Sequence, residues 1–353
     1  MHGFCCSAQP PPCSCTRLRL GSCAGALQAE RRDDTAPTAR APRHMIPYPG
    51  PSSSARSEPL LAPARSTESA IPFAALFQLT KPGVTRMVVM TTWCGAAMAP
   101  GPIVDQARLL WTLVGTALVV ASASALNMYL EADVDALMAR TRNRPIPSGR
   151  IAPETALWFG IALALAGLPI LAFCVNTVTA SIGVFALLSY VLVYTPLKRI
   201  TPLAVWVGAV PGAVPPLMGW TAMTSSVTFG GVAVFLLMLV WQIPHFHAIA
   251  IFRAGEYRRA GLRVLPVERG LDYTKFSIVA LLILQLFVSA LPAFAGLGGL
   301  PYVLVASSLG AIYVAWGLVG LRKRAGSPWA RSLFAASIPY LLVLLATLVV
   351  ASP

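Results

Sequence analysis

From about Thr80 onward the chain alternates apolar runs with short polar loops, and the runs are about 17 to 25 residues long, the length a helix needs to cross the hydrocarbon core of a bilayer. Nine spans are expected, at about 84–104, 109–129, 154–174, 178–195, 202–222, 228–250, 276–296, 301–320 and 332–351. The loops are of two kinds. Basic residues lie before the first run (Lys81, Arg86), after the second (Arg140, Arg142, Arg144, Arg150), after the fourth (Lys198, Arg199), after the sixth (Arg253, Arg258, Arg259, Arg263, Arg269, Lys275) and after the eighth (Arg322, Lys323, Arg324, Arg331). The alternate loops at 175–179, 221–227 and 296–299 carry no charge, and only Asp105 and Arg108 fall on their side. Such a bias in short loops orients a membrane protein with its basic face toward the cytoplasm or matrix. Glu131, Asp133, Asp135, Glu154, Glu256, Glu268 and Asp272 fall on the same face. Orientation explains the lysines and arginines but not these acids, whereas an active site at that face explains both.

Residues 1–75 differ. They are rich in Pro, Ser, Ala and Arg, contain no spanning run, and are expected to be a disordered leader before a membrane domain at 76–353. The leader holds five of the seven cysteines (Cys5, Cys6, Cys13, Cys15, Cys23), without zinc-finger spacing. Glu30, Asp33 and Asp34 argue against a transit peptide, and a start codon placed too early, with the working chain beginning near Met45, is an equal reading. Composition supports the membrane class: 56% of the 353 residues are hydrophobic and 11% charged, with a mean hydropathy of +0.68, which excludes an ordinary soluble protein. The formal charge of +14 would suit a nucleic-acid partner, but the orienting loops account for it, so no nucleic acid is expected. The fold class is all-α, a polytopic membrane protein.

Three stretches carry candidate chemistry. In the first, Asn127, Glu131 and Asp135 stand four apart at the end of the second run. On a helix turning about 100° per residue, each step of four moves the side chain by only about 40°, so the three share a face and Asp133 points away. Hard anionic oxygens suit Mg2+, which keeps several waters and is shared with substrate phosphates. Arg140, Arg142 and Arg144 follow, and guanidinium groups hold phosphate oxygens bidentately. The combination points to a Mg2+-diphosphate site at the membrane surface. The same spacing also fits a solvated helix end whose acids pair with the arginines that follow. In the second stretch, Tyr194-Thr-Pro-Leu-Lys198-Arg199 precedes a Gly- and Pro-rich run, Gly208 to Trp220. Lys198 and Arg199 can bind phosphate or simply orient the loop, and the prolines free backbone groups that neighbours or a cavity must satisfy. The third runs from Trp241 to Gly261. His245 and His247 are separated by about 200° on a helix and cannot ligate one metal from the same face. His245, beside Pro244 at the mouth of a span, can ligate or orient an iron porphyrin, or be a packed, hydrogen-bonded core group. Glu256 and Tyr257 are expected in the loop beyond.

Together these stretches resemble the intramembrane UbiA-type prenyltransferases, and within them the protoheme IX farnesyltransferase (heme O synthase) family, from about Leu79-Thr-Lys-Pro82 to the C-terminus. Asn127-x3-Glu131-x3-Asp135 looks like the family's first acidic motif, and Met138-Ala-Arg140-Thr-Arg-Asn-Arg144-Pro145 is more specific to the heme branch. Tyr194-Thr-Pro-Leu-Lys198-Arg199 resembles the tyrosine-lysine element, and Pro244-His245-Phe246 with Glu256-Tyr257 resembles the branch's second motif. Gly83 stands where the family usually has Arg, Ala204 where Asn is common, and Gly255 where an acid commonly precedes Glu256. The resemblance implies a bundle of nine transmembrane helices around a central cavity, open to the basic side and to lipid. It implies farnesyl diphosphate and protoheme IX as substrates, the lipid bilayer as surroundings, and Mg2+ as cofactor. It implies that Glu131 and Asp135 hold the metal with Asn127 orienting, and that Arg140, Arg144, Lys198 and Arg199 neutralise the diphosphate. Tyr194 belongs to the same catalytic set, His245 contacts the porphyrin, and Glu256 and Tyr257 complete the diphosphate or metal site. A prenyltransferase acting on a quinone precursor or a chlorophyll-type ring, and a secondary transporter, are the alternatives. The expected location is the cell inner membrane with a cytoplasmic active face, or alternatively the mitochondrial inner membrane. Heme A synthase or terminal-oxidase assembly partners stay open.

Overall fold

The computed structural model describes residues 73–101 and 105–352, which form helices joined by turns with no strand among them. The short α1 (Phe73–Leu79) leads into α2 (Pro82–Ala97), α3 (Gln106–Leu130) and the brief α4 (Ala132–Leu137). After α5 (Pro153–Cys174), α6 (Thr177–Leu188) continues through a π-helical segment, Ser189–Tyr194, into the single turn α7 (Thr195–Leu197). There follow α8 (Ala204–Thr224), α9 (Phe229–Arg259), the one-turn α10 (Leu265–Glu268), α11 (Leu271–Val288), the one-turn α12 (Leu291–Phe294), α13 (Gly299–Val319) and α14 (Ser327–Ala351). Local chemistry starts several of them. The Asp105 and Asn176 side chains accept the backbone N–H groups of Arg108 and Thr179 at 2.8 Å each, and Pro82 and Pro153 occupy first-turn positions whose missing N–H costs nothing.

A long helix occupies each of the nine expected runs, with shifted ends. Among the described residues, seven helical segments are long and apolar enough to cross a membrane. The other two long helices are α2, at 16 residues, and α8, whose mean hydropathy is lowered by Pro211, Pro215, Pro216 and its glycines. Two expectations need correction. The helix through Glu131 is not continuous, because α3 ends at Leu130 and Glu131 is the junction with α4. Glu256 and Tyr257 lie on α9 rather than in a loop, since that helix runs on to Arg259, with Arg258 and Arg259 in its last turn where cations complement the carbonyl end. The expected leader falls outside the described residues apart from positions 73–75, which already belong to α1.

Packing places α9 at the centre. In its most apolar stretch 67% is buried, against 17% for α5 on the periphery. One core joins α9 with α2, α8, α11, α13 and α14, through residues such as Leu237, Trp241, Ile278, Tyr302 and Leu341. A second joins α3, α5, α6 and α8 through Val119, Leu171, Leu187 and Met218. Between α2 and α8 the backbones nearly touch: a Cβ on Gly219 would sit 1.8 Å from the Thr92 carbonyl oxygen, and one on Gly95 would sit 1.9 Å from that of Pro216. Small residues permit this kind of approach between membrane helices. Outward-facing Trp158, Phe173, Phe287 and Phe294 are largely exposed, which suits a lipid surround.

Candidate active site

The site is built where α3, α4, α7 and the start of α2 meet. Asn127, on the last turn of α3, is buried, and its amide is oriented by a chain of hydrogen bonds. The Lys81 ammonium donates to Asn127 Oδ1 (2.8 Å), Asn127 Nδ2 donates to Thr195 Oγ1 (3.3 Å), and the Thr195 hydroxyl donates to the Tyr190 carbonyl (2.9 Å). The last bond spans five residues and belongs to the π-helical segment, whose wider turn leaves that carbonyl within the hydroxyl's reach. Lys81 comes to Asn127 because it caps α2 in a left-handed conformation (φ 46°) just before Pro82, an uncommon backbone state for a residue with a Cβ.

Despite the break, Asn127, Glu131 and Asp135 stay in register. The Glu131 N–H donates to the Asn127 carbonyl at 3.1 Å and the Asp135 N–H to the Glu131 carbonyl at 2.8 Å, so each step of four keeps its helical bond. Arg199 stabilises the junction by donating to the Leu130 carbonyl at 2.9 Å. Glu131 and Asp135 are 3% and 1% exposed, and each has a cation from another segment. Lys198, just after α7, pairs with Glu131, and Arg144 reaches Asp135 Oδ2 at 2.5 Å. Asp133 faces away, as its position two residues from each neighbour requires. It is well exposed, and Arg199 grips it with two bonds of 2.8 and 2.7 Å that hold its carboxyl below the usual carboxylate range. The reading of acids paired with nearby cations is therefore correct as to pairing, but the two paired acids on the shared face are buried rather than solvated.

Positive charge is concentrated around them. Burial pushes the Lys81 ammonium down to about 7, repulsion from Arg144 and Arg140 acts in the same direction, and Asp135 opposes it. Burial, Lys81 and Arg199 likewise disfavour the charged form of Lys198, which nevertheless pairs with Glu131. Arg140 and Arg142 are exposed at the rim. Tyr194 lies half-buried with its ring centroid 5.8 Å from Lys198 Nζ, and packs so closely on α8 that a Cβ at Gly208 would lie 2.5 Å from the ring.

The remaining predicted residues are placed differently. Tyr257 packs against a small cluster of Val134, Met138, Ala260 and Leu262, which ties the end of α9 to α4. The Glu256 carboxylate is taken by Arg253 on its own helix, at 2.9 Å. No group of three or more His, Cys, Asp or Glu side chains converges among the described residues, so Glu256 does not make a three-ligand set with Glu131 and Asp135. Two carboxylates with an adjacent amide still fit Mg2+, which takes one or two protein carboxylates and fills its other positions with water and phosphate oxygens. His245 lies on the α14 side of α9, hydrogen-bonded through Nδ1 to Ser337 Oγ at 2.6 Å and packed against Trp241 and Phe334, while His247 is buried on another face of the helix. Lys81 and Thr195 were not among the candidate site residues. The Lys-Pro pair before the first run was the only sequence signal for Lys81, and Thr195, though inside the Tyr194–Arg199 stretch, had no role assigned to it.

Residues 88–338 match the UbiA prenyltransferase family. The chain is 49% identical over 256 residues to a protein of Sorangium cellulosum named protoheme IX farnesyltransferase, a match covering 72% of this chain and 91% of that one. It is 47% identical over 273 residues to a protein of the same name from Myxococcus xanthus, covering 77% and 92%. The fold is similar to that of a digeranylgeranylglyceryl phosphate synthase, with a TM-score of 0.69 at 18% identity over 79% of this chain and 98% of the other. It is also similar to a UbiA homolog from Archaeoglobus fulgidus bound to DMAPP and Mg2+, with a TM-score of 0.56 at 17% identity over 77% and 99%.

Proposed function

The chain belongs to the UbiA prenyltransferase family, and from that membership we propose that it transfers the farnesyl group of farnesyl diphosphate to a vinyl group of protoheme IX, giving heme O and diphosphate. The observation that carries this reading is the buried pair Glu131 and Asp135, each neutralised by a cation from a different segment, at one end of a bundle of apolar helices. Two carboxylates buried in this way would be costly without partners, so the cations keep the free site stable. They are also the groups a diphosphate needs. When the substrate head group arrives with its metal, Lys198 and Arg144 can exchange a carboxylate for phosphate oxygens while Glu131 and Asp135 turn to the cation. The farnesyl chain meanwhile stays among apolar side chains or lipid.

Bound Mg2+ would be held by Glu131 and Asp135 and would withdraw charge from the leaving diphosphate. Asn127, fixed by Lys81 and Thr195, orients the group. As the bond between the farnesyl C1 and the diphosphate oxygen breaks, its electron pair leaves with diphosphate. Lys81, Arg144 and Lys198, with Arg140 at the rim, face that growing negative charge and stabilise the transition state more than the ground state, while Arg199, held by Asp133 and the Leu130 carbonyl instead of facing the diphosphate, fixes the junction that carries Glu131. The vinyl π electrons of protoheme attack C1, and water adds to the resulting cation and loses a proton, which leaves the hydroxyethylfarnesyl side chain. His245 contacts the porphyrin. Tyr194 and Tyr257 wall the site, and Glu256, held by Arg253, is its outer acid. The loop charges support a basic face on the cytoplasmic side, and we read the membrane as the cell inner membrane.

Purified protein given labelled farnesyl diphosphate with protoheme IX and, in parallel, a hydroxybenzoate-type quinone precursor tests the assignment. Label should move to the porphyrin alone, and transfer to the quinone precursor instead would overturn it. A second expectation concerns Lys81. Lys81→Met removes one charge-assisted bond to a phosphate oxygen, a loss of about 1.5–3 kcal/mol, so the KM for farnesyl diphosphate should rise about 10- to 100-fold with the KM for heme little changed. Equal changes in both constants would make Lys81 a structural residue only.

A further inference from the structure

The Ser337 hydroxyl on α14 is fully buried and touches two groups. It lies 2.6 Å from the Phe334 carbonyl oxygen and 2.6 Å from His245 Nδ1. A carbonyl oxygen can only accept, so the single hydroxyl proton goes to Phe334, and Ser337 Oγ must then accept from His245. That assignment puts the ring proton on Nδ1 and leaves the lone pair on Nε2, across the ring from Ser337. Nε2 has no hydrogen-bond partner among the described residues. The ring itself is packed by aromatic neighbours, with Trp241 at 4.9 Å and Phe334 at 4.7 Å between centroids and Phe246 edge-on at 5.6 Å. Trp241 is anchored to the same residue, its indole N–H donating to the Ser337 carbonyl at 2.9 Å. Serine 337 therefore fixes the tautomer, the tilt and the packing partner of this histidine at once.

We propose that Ser337 is a positioning residue that holds His245 as its Nδ1–H tautomer, so that Nε2 serves as an axial ligand to the iron of the porphyrin substrate. The inference rests on the reading of protoheme IX as the farnesyl acceptor. A metal-bound histidine ordinarily donates its second ring N–H to an oxygen acceptor, which sets the ring orientation and raises the basicity of the ligating nitrogen. Here that acceptor is in place before any iron arrives. Nε2 would offer its lone pair to the iron, and no proton would have to move because Nδ1 already carries it. Iron ligation at this point would dock the porphyrin through its centre and leave the vinyl groups at its edge free to meet the farnesyl cation.

The test is a titration of hemin into the purified full-length chain in detergent, read by optical absorption and electron paramagnetic resonance, with labelled farnesyl diphosphate binding measured alongside. Wild-type protein should give a histidine-ligated ferric signature, and His245→Ala should lose it while still binding farnesyl diphosphate. Ser337→Ala should weaken hemin binding about 10- to 100-fold, the usual cost of losing such an outer partner, and blur the signature. Ser337→Thr, which keeps the hydroxyl, should restore both. A wild-type complex without histidine ligation, or a signature that survives His245→Ala, would overturn the heme role of His245 and this proposal with it. Loss of the signature in His245→Ala with an unchanged spectrum and affinity in Ser337→Ala would overturn the role of Ser337 alone. So would a Ser337→Ala protein whose affinities for hemin and farnesyl diphosphate fall together, since that is the behaviour of a residue needed only for folding.

Discussion

Asp135→Asn is expected to lower turnover by about two orders of magnitude or more, with normal membrane insertion, because the buried carboxylate is both a proposed metal ligand and the partner of Arg144. The amide keeps the size and one oxygen of the side chain but loses the charge, and a hard dication prefers carboxylate to amide. Stability should suffer less than activity. Arg144 is partly exposed and can hydrate when its partner is neutralised, so the penalty of an unpaired buried charge does not arise in full. Raising Mg2+ should recover part of the lost rate. Asp133→Asn is the internal control: its carboxylate is exposed, its pair with Arg199 is worth about 1 kcal/mol at most, and its activity should stay within a few-fold of wild type. Initial rates with labelled farnesyl diphosphate across a Mg2+ series decide the matter, and near wild-type turnover by Asp135→Asn at limiting Mg2+ would remove the metal assignment.

The largest effect on stability should come from Gly219→Ala. The added methyl would sit 1.8 Å from the Thr92 carbonyl oxygen and 2.7 Å from the Ala96 nitrogen, and neither can yield without moving the backbone of α2. Overpacking usually costs about 1–3 kcal/mol when side chains can rotate away, and a backbone-to-backbone clash leaves no such escape, so a loss above about 3 kcal/mol is expected. Because Lys81 caps α2, a shifted α2 should also weaken diphosphate binding. Gly83→Ala, in the first turn of α2 with nothing within 4 Å of the new methyl, should be neutral or slightly stabilising. Thermal inactivation in detergent compares the two, and equal melting of Gly219→Ala and wild type would show that α2 and α8 do not keep this contact.

Much of this was readable along the chain because a membrane simplifies the physics. Spans had to be long and apolar, so the positions of α3, α5, α9, α13 and α14 followed from hydropathy, and a turn of about 100° per residue separated Asp133 from Asp135. Non-local contacts were not readable. No glycine or proline marks the helix break at Glu131; Arg199, 69 positions away, supplies the bond to the Leu130 carbonyl at that break. Lys81 looked like one more orienting cation, since its tie to Asn127 spans 46 positions and depends on a left-handed backbone that pattern does not reveal. His245 could be singled out by type and place, but its tautomer depends on a serine 92 positions later that belongs to no motif. Glu256 was misplaced for a simpler reason, in that α9 outlasts its apolar stretch and carries the acid out on a helix, where Arg253 one turn earlier takes it.

The π-helical segment at Ser189–Tyr194 bears on how such an enzyme can change over evolutionary time. A wide turn of this kind is the footprint a single inserted residue leaves in an α-helix, and it is absorbed locally rather than by shifting the whole span. Residues before it keep their grip on α8, while those after it are rotated by about 100° relative to an uninterrupted helix. Lys198 lies just past the segment, so its bearing on Glu131 depends on the width of that turn. Gain or loss of one residue here would thus re-aim the cation that pairs with Glu131 while leaving the buried scaffold untouched.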